Sequence, residues 1–508
     1  MKAIMKKIFY ILALVAATSL VSCDQELLNT EPSSELSKDA IFSDAGGAQM
    51  AISGIYRAMR TNSWSSGWSH EHPGIFAQTL AFDLMGEDHF MASQGQGWFY
   101  YDYKFNVDSD YTHSSGRQYG TWNLGYTMVS QANYVIAEKD MLSATPEGLN
   151  VLGQAYAIRA FSYMFLTECF CQGNFPVNKE TCPGVPIYTE PTTKDTKGKP
   201  RGLLKDVLAQ INLDYEEAVK CFEAAEKEGV GQQDVSHLDL YATKLLWARV
   251  ALAEGEWQRA YDLATGALAK PGLQPVVSVK ELGGFNDVNI GSLLWGFNVT
   301  ADQTGPYGNF HSHMDPFNGG YGEAAPQCWD VPIAMSIPDT DERWNWIYIY
   351  EGEYPFQNKF LIGDISTSVS DNIILRGEEA VLVAAEAACR LNDWTNARKY
   401  VSDLGTVRDS EYETRLAKVT DSNLYTDDTM EGLEPVTLME EILWQRRVEL
   451  WGEGPGRLSD LKRLNLGYSR YWDGTEFEAG APEFTFLVPY LEFQNNPELD
   501  LGEDQNPR

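Results

Sequence analysis

Positive charge is scarce in this sequence: 39 Lys and Arg stand against 72 Asp and Glu in 508 residues, a formal charge of −33. So acidic a surface repels nucleic acid and other polyanions, which argues against a nucleic-acid partner and favours neutral ligands. Histidine is rarer still, with seven copies. None falls in a His-Glu-x-x-His pattern, and the chain has no Gly-x-Ser-x-Gly elbow, phosphate-binding loop or EF-hand spacing. No specific signature of an enzyme, a metal centre or a cofactor site is therefore present. Paired carboxylates of the glycosidase kind have no fixed spacing and stay open. Long apolar runs are also lacking: beyond residue 17 nothing approaches the roughly 20 residues that span a bilayer.

The amino terminus supplies what the rest lacks. Lys2, Lys6 and Lys7 precede a short apolar run, residues 8–17, in the order of an export signal. Leu20-Val21-Ser22-Cys23 then resembles a lipobox, which predicts a lipoprotein signal peptide over 1–22 and a lipidated Cys23. Acyl chains at ~0.8 kcal/mol per buried CH₂ would hold such a chain on a membrane. Residues 23–38, with Asn29, Pro32, Ser33 and Ser34, read as a tether, and 39–508 as the folded domain. Loss of the three lysines takes the charge from −33 to −36.

Six cysteines remain after Cys23: Cys169, Cys171, Cys182, Cys221, Cys328 and Cys389. An even number in an exported chain permits disulfides, and Cys171 with Cys182 would close a small loop, although spacing alone does not decide pairing. Cys169, Cys171 and Cys182 do not have zinc-ligand spacing. His70-Glu71-His72 and His311-Ser312-His313 read as extended pairs of imidazoles, more in keeping with solvent or ligand contact than with a metal.

One pattern recurs three times: an aromatic, a small residue three positions later, then residues at +7 and +10 on the same helical face. The copies are Tyr215, Ala218, Phe222, Ala225; Trp257, Ala260, Ala264, Ala267; and Trp394, Ala397, Val401, Leu404. Helices predicted over 240–253 and 378–390 precede the last two, so each closes a helical hairpin of tetratricopeptide type. Further long helices are predicted over 120–139, 152–170 and 438–451. The fold class is thus mainly α, a tetratricopeptide-like helical hairpin scaffold with long irregular aromatic-rich insertions. Those insertions are residues 62–113, with Trp64, Trp68, Trp98, Phe99, Tyr100, Tyr101 and Tyr103, and residues 283–371, with Trp295, Tyr307, Phe310, Tyr321 and Trp329. Long irregular segments within a domain tend to carry function.

Several stretches resemble one known family. Residues 154–163, Gln-Ala-Tyr-Ala-Ile-Arg-Ala-Phe-Ser-Tyr, followed by Asn174-Phe175-Pro176, resemble the long helix and exit of the SusD/RagB family. Trp122, Tyr126, Ala132 and Asn133 resemble its preceding helix, and residues 376–408, with Glu386-Ala387 and the Trp394 helix, its "AEA…A…VR" unit. Gln445-Arg446-Arg447-Val448-Glu449-Leu450, then Gly454, Arg457, Asp460-Leu461 and Arg463, follow its "ERRxEL…EGxRxxDLxR" signature. Val488-Pro489, Glu492 and Asn495-Asn496-Pro497 resemble its closing motif. Gln445 replaces the usual Glu, and Pro455-Gly456 alters the spacing after Gly454.

The resemblance implies a non-catalytic outer-membrane lipoprotein at the cell surface that captures oligosaccharides and passes them to a SusC-like TonB-dependent transporter. Asp24 and Glu26 resemble the acidic export signal of surface lipoproteins in Bacteroidetes. Capture of peptides, or a tetratricopeptide surface that binds a protein, is the alternative; a glycoside hydrolase is a weaker one.

Sugars present apolar C–H faces and a rim of hydroxyls, so their sites combine flat aromatics with Asp, Asn, Gln or Arg. The expected ligand contacts are Trp98, Tyr100 and Tyr101 from the first insertion and Trp295, Tyr307, Phe310 and Trp329 from the second. Asp83, Asp88, Gln96 and Asn309 are the expected polar partners. Trp257 and Trp394 are assigned to helix packing, and Arg446, Arg447, Glu449, Arg457 and Asp460 to salt bridges within the scaffold.

Overall fold

The computed structural model describes residues 42–507 except 43, 62–63, 65–68, 94–97, 105–113, 115, 304–306, 426–434 and 455. The signal segment 1–22, Cys23, the tether and Gln96 lie outside the described residues.

The chain is mainly helical. Its scaffold runs through α1 (Ala45–Ala58), α2 (Phe76–Leu84), α3 (Gly116–Ile136), α4 (Pro146–Phe170), α5 (Leu204–Lys227), α6 (Leu240–Glu254), α7 (Trp257–Leu268), α8 (Gly377–Arg390), α9 (Trp394–Arg408), α10 (Leu438–Glu449), α11 (Arg457–Leu464) and α12 (Tyr490–Asn495). Helix α4 begins six residues earlier than the periodicity predicts. Thr145 caps it by accepting the Gly148 N–H (3.1 Å), and Pro146 fits the first turn, where no N–H is needed.

The repeated pattern forms helical hairpins. Asp239 caps α6, which ends at Gly255 in the left-handed conformation (φ 75°), and Trp257 then opens α7. Asp393 caps α9 in the same way. Ala260, Ala264, Ala267, Ala397, Val401 and Leu404 have no exposed surface, so the small residues mark close helix contacts. Trp257 and Trp394 are half-buried against the core, and the Arg390 guanidinium lies 5.1 Å from the Trp257 ring. An Ala397→Leu change overfills that contact and is expected to lower stability by about 1–3 kcal/mol. A urea midpoint equal to that of the unchanged chain would contradict the close approach.

The two insertions are less irregular than the sequence suggests. Short strands β1 (His89–Met91), β2 (Leu293–Phe297), β3 (Gln327–Trp329), β4 (Ile347–Tyr350) and β5 (Tyr354–Gln357) cross them, and β6 (Asn372–Arg376) follows the second directly. One antiparallel sheet has the order β1-β3-β5-β4, and β2 pairs with β6 in another. The first of these joins the two insertions, because β1 comes from one and β3 from the other, with His89 opposite Trp329 and Met91 opposite Gln327.

The scaffold holds that sheet through charges. Arg447 on α10 donates to Asp88 (Nε, 2.9 Å), and Arg457 on α11 donates to Glu87 (2.7 Å), immediately before β1. Glu386 on α8 accepts two bonds from Arg463 (2.6 and 2.8 Å), and Asp460 accepts from Arg446 and Arg463. Charged-group hydrogen bonds of this bidentate kind are stronger than neutral ones. Arg447 and Arg457 of the signature thus locate the first insertion, while Arg446 and Arg463 tie α10, α11 and α8 to one another.

Candidate functional site: an aromatic cluster where the two insertions meet

Beyond β1 the two insertions stay zipped, as Ala92 N–H donates to the Pro326 carbonyl (3.1 Å) and Ser93 Oγ to the Ala324 carbonyl (3.2 Å). This places Trp98 beside Tyr321, with ring centroids 5.7 Å apart and nearly perpendicular. Tyr307 lies 5.3 Å from Tyr321, and His70 lies 6.0 Å from Trp98 and is hydrogen-bonded to the Tyr321 hydroxyl. Trp98 and Tyr321 are half-buried, while Tyr307 is 54% exposed. Perpendicular and offset ring contacts of this kind are individually favourable and fix the platform's shape.

Buried groups beneath support it. His313 stacks under Tyr321 (5.1 Å, 27°), and its Nε2 donates to the His70 carbonyl (2.8 Å). Phe99 adopts φ 67°, which is uncommon for a residue with a side chain. Glu71 accepts its N–H (2.8 Å), and Arg117 lies 4.5 Å over its ring while pairing with Asp102 at 2.9 Å twice. The kink separates neighbours: Phe99 is fully buried, and Trp98 next to it reaches the surface. Gly120 of α3 is required here because a Cβ would stand 2.6 Å from the His72 ring, whose Nε2 donates to the Gly116 carbonyl (3.0 Å).

Burial pushes His311 and His313 down to about 4. An unfolded chain protonates such imidazoles below about pH 6.5. Unfolding then takes up protons between about pH 6.5 and 4, so their contribution to stability falls as pH drops through that window. Glu168 and Asp330, raised to about 7 by burial, act in the opposite sense there. The expected result is therefore a difference: His313→Gln shows a shallower loss of Tm between pH 6.5 and 4 than the unchanged chain by calorimetry. Identical slopes would mean that His313 is not buried as the neutral form.

The expected ligand residues divide sharply. Trp98, Tyr307 and, through the short helix Tyr100–Lys104, Tyr100 and Tyr101 stand at or near the surface, with Tyr101 48% exposed. Asn309 is half-buried and spends its oxygen capping the helix Phe310–Met314, accepting from the Ser312 N–H (2.8 Å). Trp295, Phe310 and Trp329 are instead core residues. Trp295 packs among Tyr56, Phe161 and Phe297 and donates to the Ser236 carbonyl (2.9 Å); Trp329 stacks on Trp451 (4.4 Å, 13°). Phe310 is wedged between Phe76 and Phe360. Asp83 is buried and accepts the N–H groups of Gly452 (2.6 Å) and Arg457 (2.8 Å), and Asp88 is taken by Arg447. None of these five has a surface to offer a sugar.

Two further expectations change. The histidine pairs are not extended: His70 lies in the 3-10 turn Ser69–Glu71, and His311 and His313 lie in a helix. His72, His311 and His313 each direct Nε2 to a backbone carbonyl. Cys171 and Cys182 are not joined; Cys182 donates to the Gln172 side chain (3.4 Å), and burial raises the Cys171 thiol to about 11. Nothing local distinguishes Tyr321, His70 and His313 from other loop aromatics and histidines, so the sequence does not mark them as site residues.

Residues 71–238 match the family described as "Starch-binding associating with outer membrane", a SusD-like group, and residues 328–490 match the "SusD family". The chain belongs to the SusD/RagB family. Each SusD-type match takes in one of the insertions' contributions to the β1–β3 pairing. "SusD-like protein P2" of Formosa agariphila is 24% identical over 541 aligned residues, covering 97% of each chain. Among solved structures, a "SusD-like carbohydrate binding protein" of Bacteroides vulgatus is 22% identical with a TM-score of 0.75, covering 92% of this chain and 98% of that one. "Surface glycan-binding protein A" of Bacteroides uniformis is 14% identical with a TM-score of 0.64, covering 91% and 99%. The likeness to these structures is one of SusD-type fold.

Proposed function

We propose that the chain is a non-catalytic carbohydrate-binding lipoprotein, anchored through Cys23 to the outer membrane, that captures oligosaccharides at the cell surface for a SusC-like TonB-dependent transporter. The convergence of Trp98, Tyr307 and Tyr321 from two distant segments into one partly exposed cluster carries this reading. Flat rings at the surface suit the C–H faces of a sugar, and the acidic surface suits a neutral one. Binding rather than hydrolysis is supported by the acids beneath the cluster. Glu71 is occupied by the Phe99 N–H and Asp102 by Arg117, and neither is placed to protonate a glycosidic oxygen. The lipobox supports the anchor, and among the described residues no helix is long and apolar enough to cross a membrane.

Affinity electrophoresis of the chain from Asp24 onward, in native gels containing neutral plant, host or microbial polysaccharides, tests the binding. Retardation on one polymer without release of reducing ends is expected. Release of reducing ends would make the chain a hydrolase, and no retardation on any polymer would shift the reading to peptide capture. Co-purification of a large β-barrel protein from detergent extracts, lost to the soluble fraction on Cys23→Ala, is the expected sign of delivery to a transporter.

A further inference from the structure

Helix α3 carries a second aromatic face. Tyr119, Asn123, Tyr126 and Ser130 follow one another at intervals of four, three and four, so they share one side of the helix over about 16 Å. Residues 186–192 run beside it as a strap. Tyr126 Oη donates to the Pro186 carbonyl (2.8 Å), Asn133 Nδ2 to those of Tyr188 (3.0 Å) and Glu190 (3.1 Å), and Tyr134 Oη to that of Thr192 (2.7 Å). The carboxy-terminal α12 closes the third side: Glu492 accepts from Trp122 Nε1 (3.2 Å) and from Asn496 Nδ2 (3.0 Å), which also reaches the Lys199 carbonyl (2.9 Å).

Between these walls lies a groove of about 320 Å³, whose lining includes Tyr119, Trp122, Tyr126 and Tyr188. The Tyr126 ring is tilted against Trp122 (4.8 Å, 49°) and perpendicular to Tyr188 (6.0 Å, 84°), so the half-buried Tyr119, Tyr126 and Tyr188 offer ring surface to the groove and the buried Trp122 backs them. A volume of this order suits a small-molecule ligand, and walls already bonded to one another cost little ordering when one binds. Asn123 and Asn495 line the groove too. Each spends its amide nitrogen on a backbone carbonyl, Trp64 (3.4 Å) and Leu491 (2.9 Å), and no bond to either amide oxygen occurs among the described residues. Two acceptors beside half-buried tyrosine rings match the hydroxyls and C–H faces of a sugar, while Glu492 at the edge disfavours an anion.

We infer that this groove is a second carbohydrate-binding site, separate in its residues from the Trp98 cluster and taking a neutral oligosaccharide. The inference rests on the carbohydrate reading above. Two sites on one chain would let it hold a polymer at two points and gain affinity by linkage when the span permits.

Labelling with 5-fluorotryptophan tests it, since Trp98 belongs to one site and Trp122 to the other, and Trp98→Phe and Trp122→Phe assign their fluorine resonances. The probes are maltohexaose, xylohexaose, mannohexaose and laminarihexaose, each titrated singly into the chain from Asp24 onward. One of them is expected to move both resonances. Tyr119→Ala, and independently Asn495→Ala, is expected to weaken the Trp122 response about tenfold or more and leave the Trp98 response in place. A shift of Trp98 alone overturns the groove and leaves the carbohydrate reading standing. Movement of Trp122 alone upholds the groove and removes the Trp98 cluster as a site, and movement of neither overturns both.

Discussion

Glu449→Gln is expected to lower the unfolding free energy by about 3–5 kcal/mol, the cost of removing one partner from a buried ion pair. Glu449 has no exposed surface and accepts from Arg408 (2.8 and 2.9 Å), Arg376 (2.7 Å) and Arg343 (3.3 Å). Around it, four cations, Arg343, Arg376, Arg408 and Lys359, face four carboxylates, Asp341, Glu378, Glu449 and Glu453. Burial alone would raise the Glu449 carboxyl, but the guanidiniums overcome it and hold that group well below the usual carboxylate range. Glutamine keeps the shape and removes the charge, which leaves a dry cluster with one cation too many. The consequence reaches the second insertion, because Arg343 and Lys359 lie within it and Arg376 ends β6 just after it. Guanidinium denaturation of the variant should show the loss, whereas Lys205→Ala, at an exposed pair with Glu180, should leave the midpoint in place. A Glu449→Gln midpoint equal to the unchanged one would mean that the cluster is wet.

Trp98→Ala is expected to weaken retardation on the polysaccharide that the chain binds, with an affinity loss of about tenfold or more at the Trp98 cluster and an unchanged Tm. The ring is half-buried and leans on Tyr321 and His70, so its removal takes away ligand surface and little core. Trp295→Ala provides the opposite signature. That ring is fully buried, and its loss should cost about 3–5 kcal/mol of stability. Binding per folded molecule should then persist at low temperature. If both variants lose binding with no change in Tm, the division between cluster and core is wrong.

Both predictions turn on a distinction between residues that look alike in the sequence. Trp98 and Trp295 each sit in a Gly-rich, aromatic insertion, yet one reaches solvent and the other is enclosed by its strand neighbour Phe297 and by Tyr56 and Phe161, which come from elsewhere in the chain. A large aromatic serves a core and a sugar site equally well, so its type does not tell which it does. Asp83 and Asp88 present the same difficulty, since the groups that occupy them, the Gly452 and Arg457 N–H groups and Arg447, lie more than 350 positions away. The groove along α3 had a local signal, a row of Tyr119, Asn123, Tyr126 and Ser130 on one helical face. Its meaning depended on the strap and on α12, which only the folded chain brings alongside.

By itself the sequence determined the helical scaffold and its hairpins, the signature arginines as ties within that scaffold, and the family to which the chain belongs. Helical periodicity, caps and small-residue contacts act within a few turns and so are written locally, as Ala260 and Ala397 show. The tertiary structure alone decided which aromatics form the site. Three-residue strands such as β1 and β3 are too short to show alternation, and their pairing joins positions more than 230 residues apart. That pairing brings Trp98 to Tyr321, and burial, which depends on every neighbour at once, separates the rings that can meet a ligand from those that cannot.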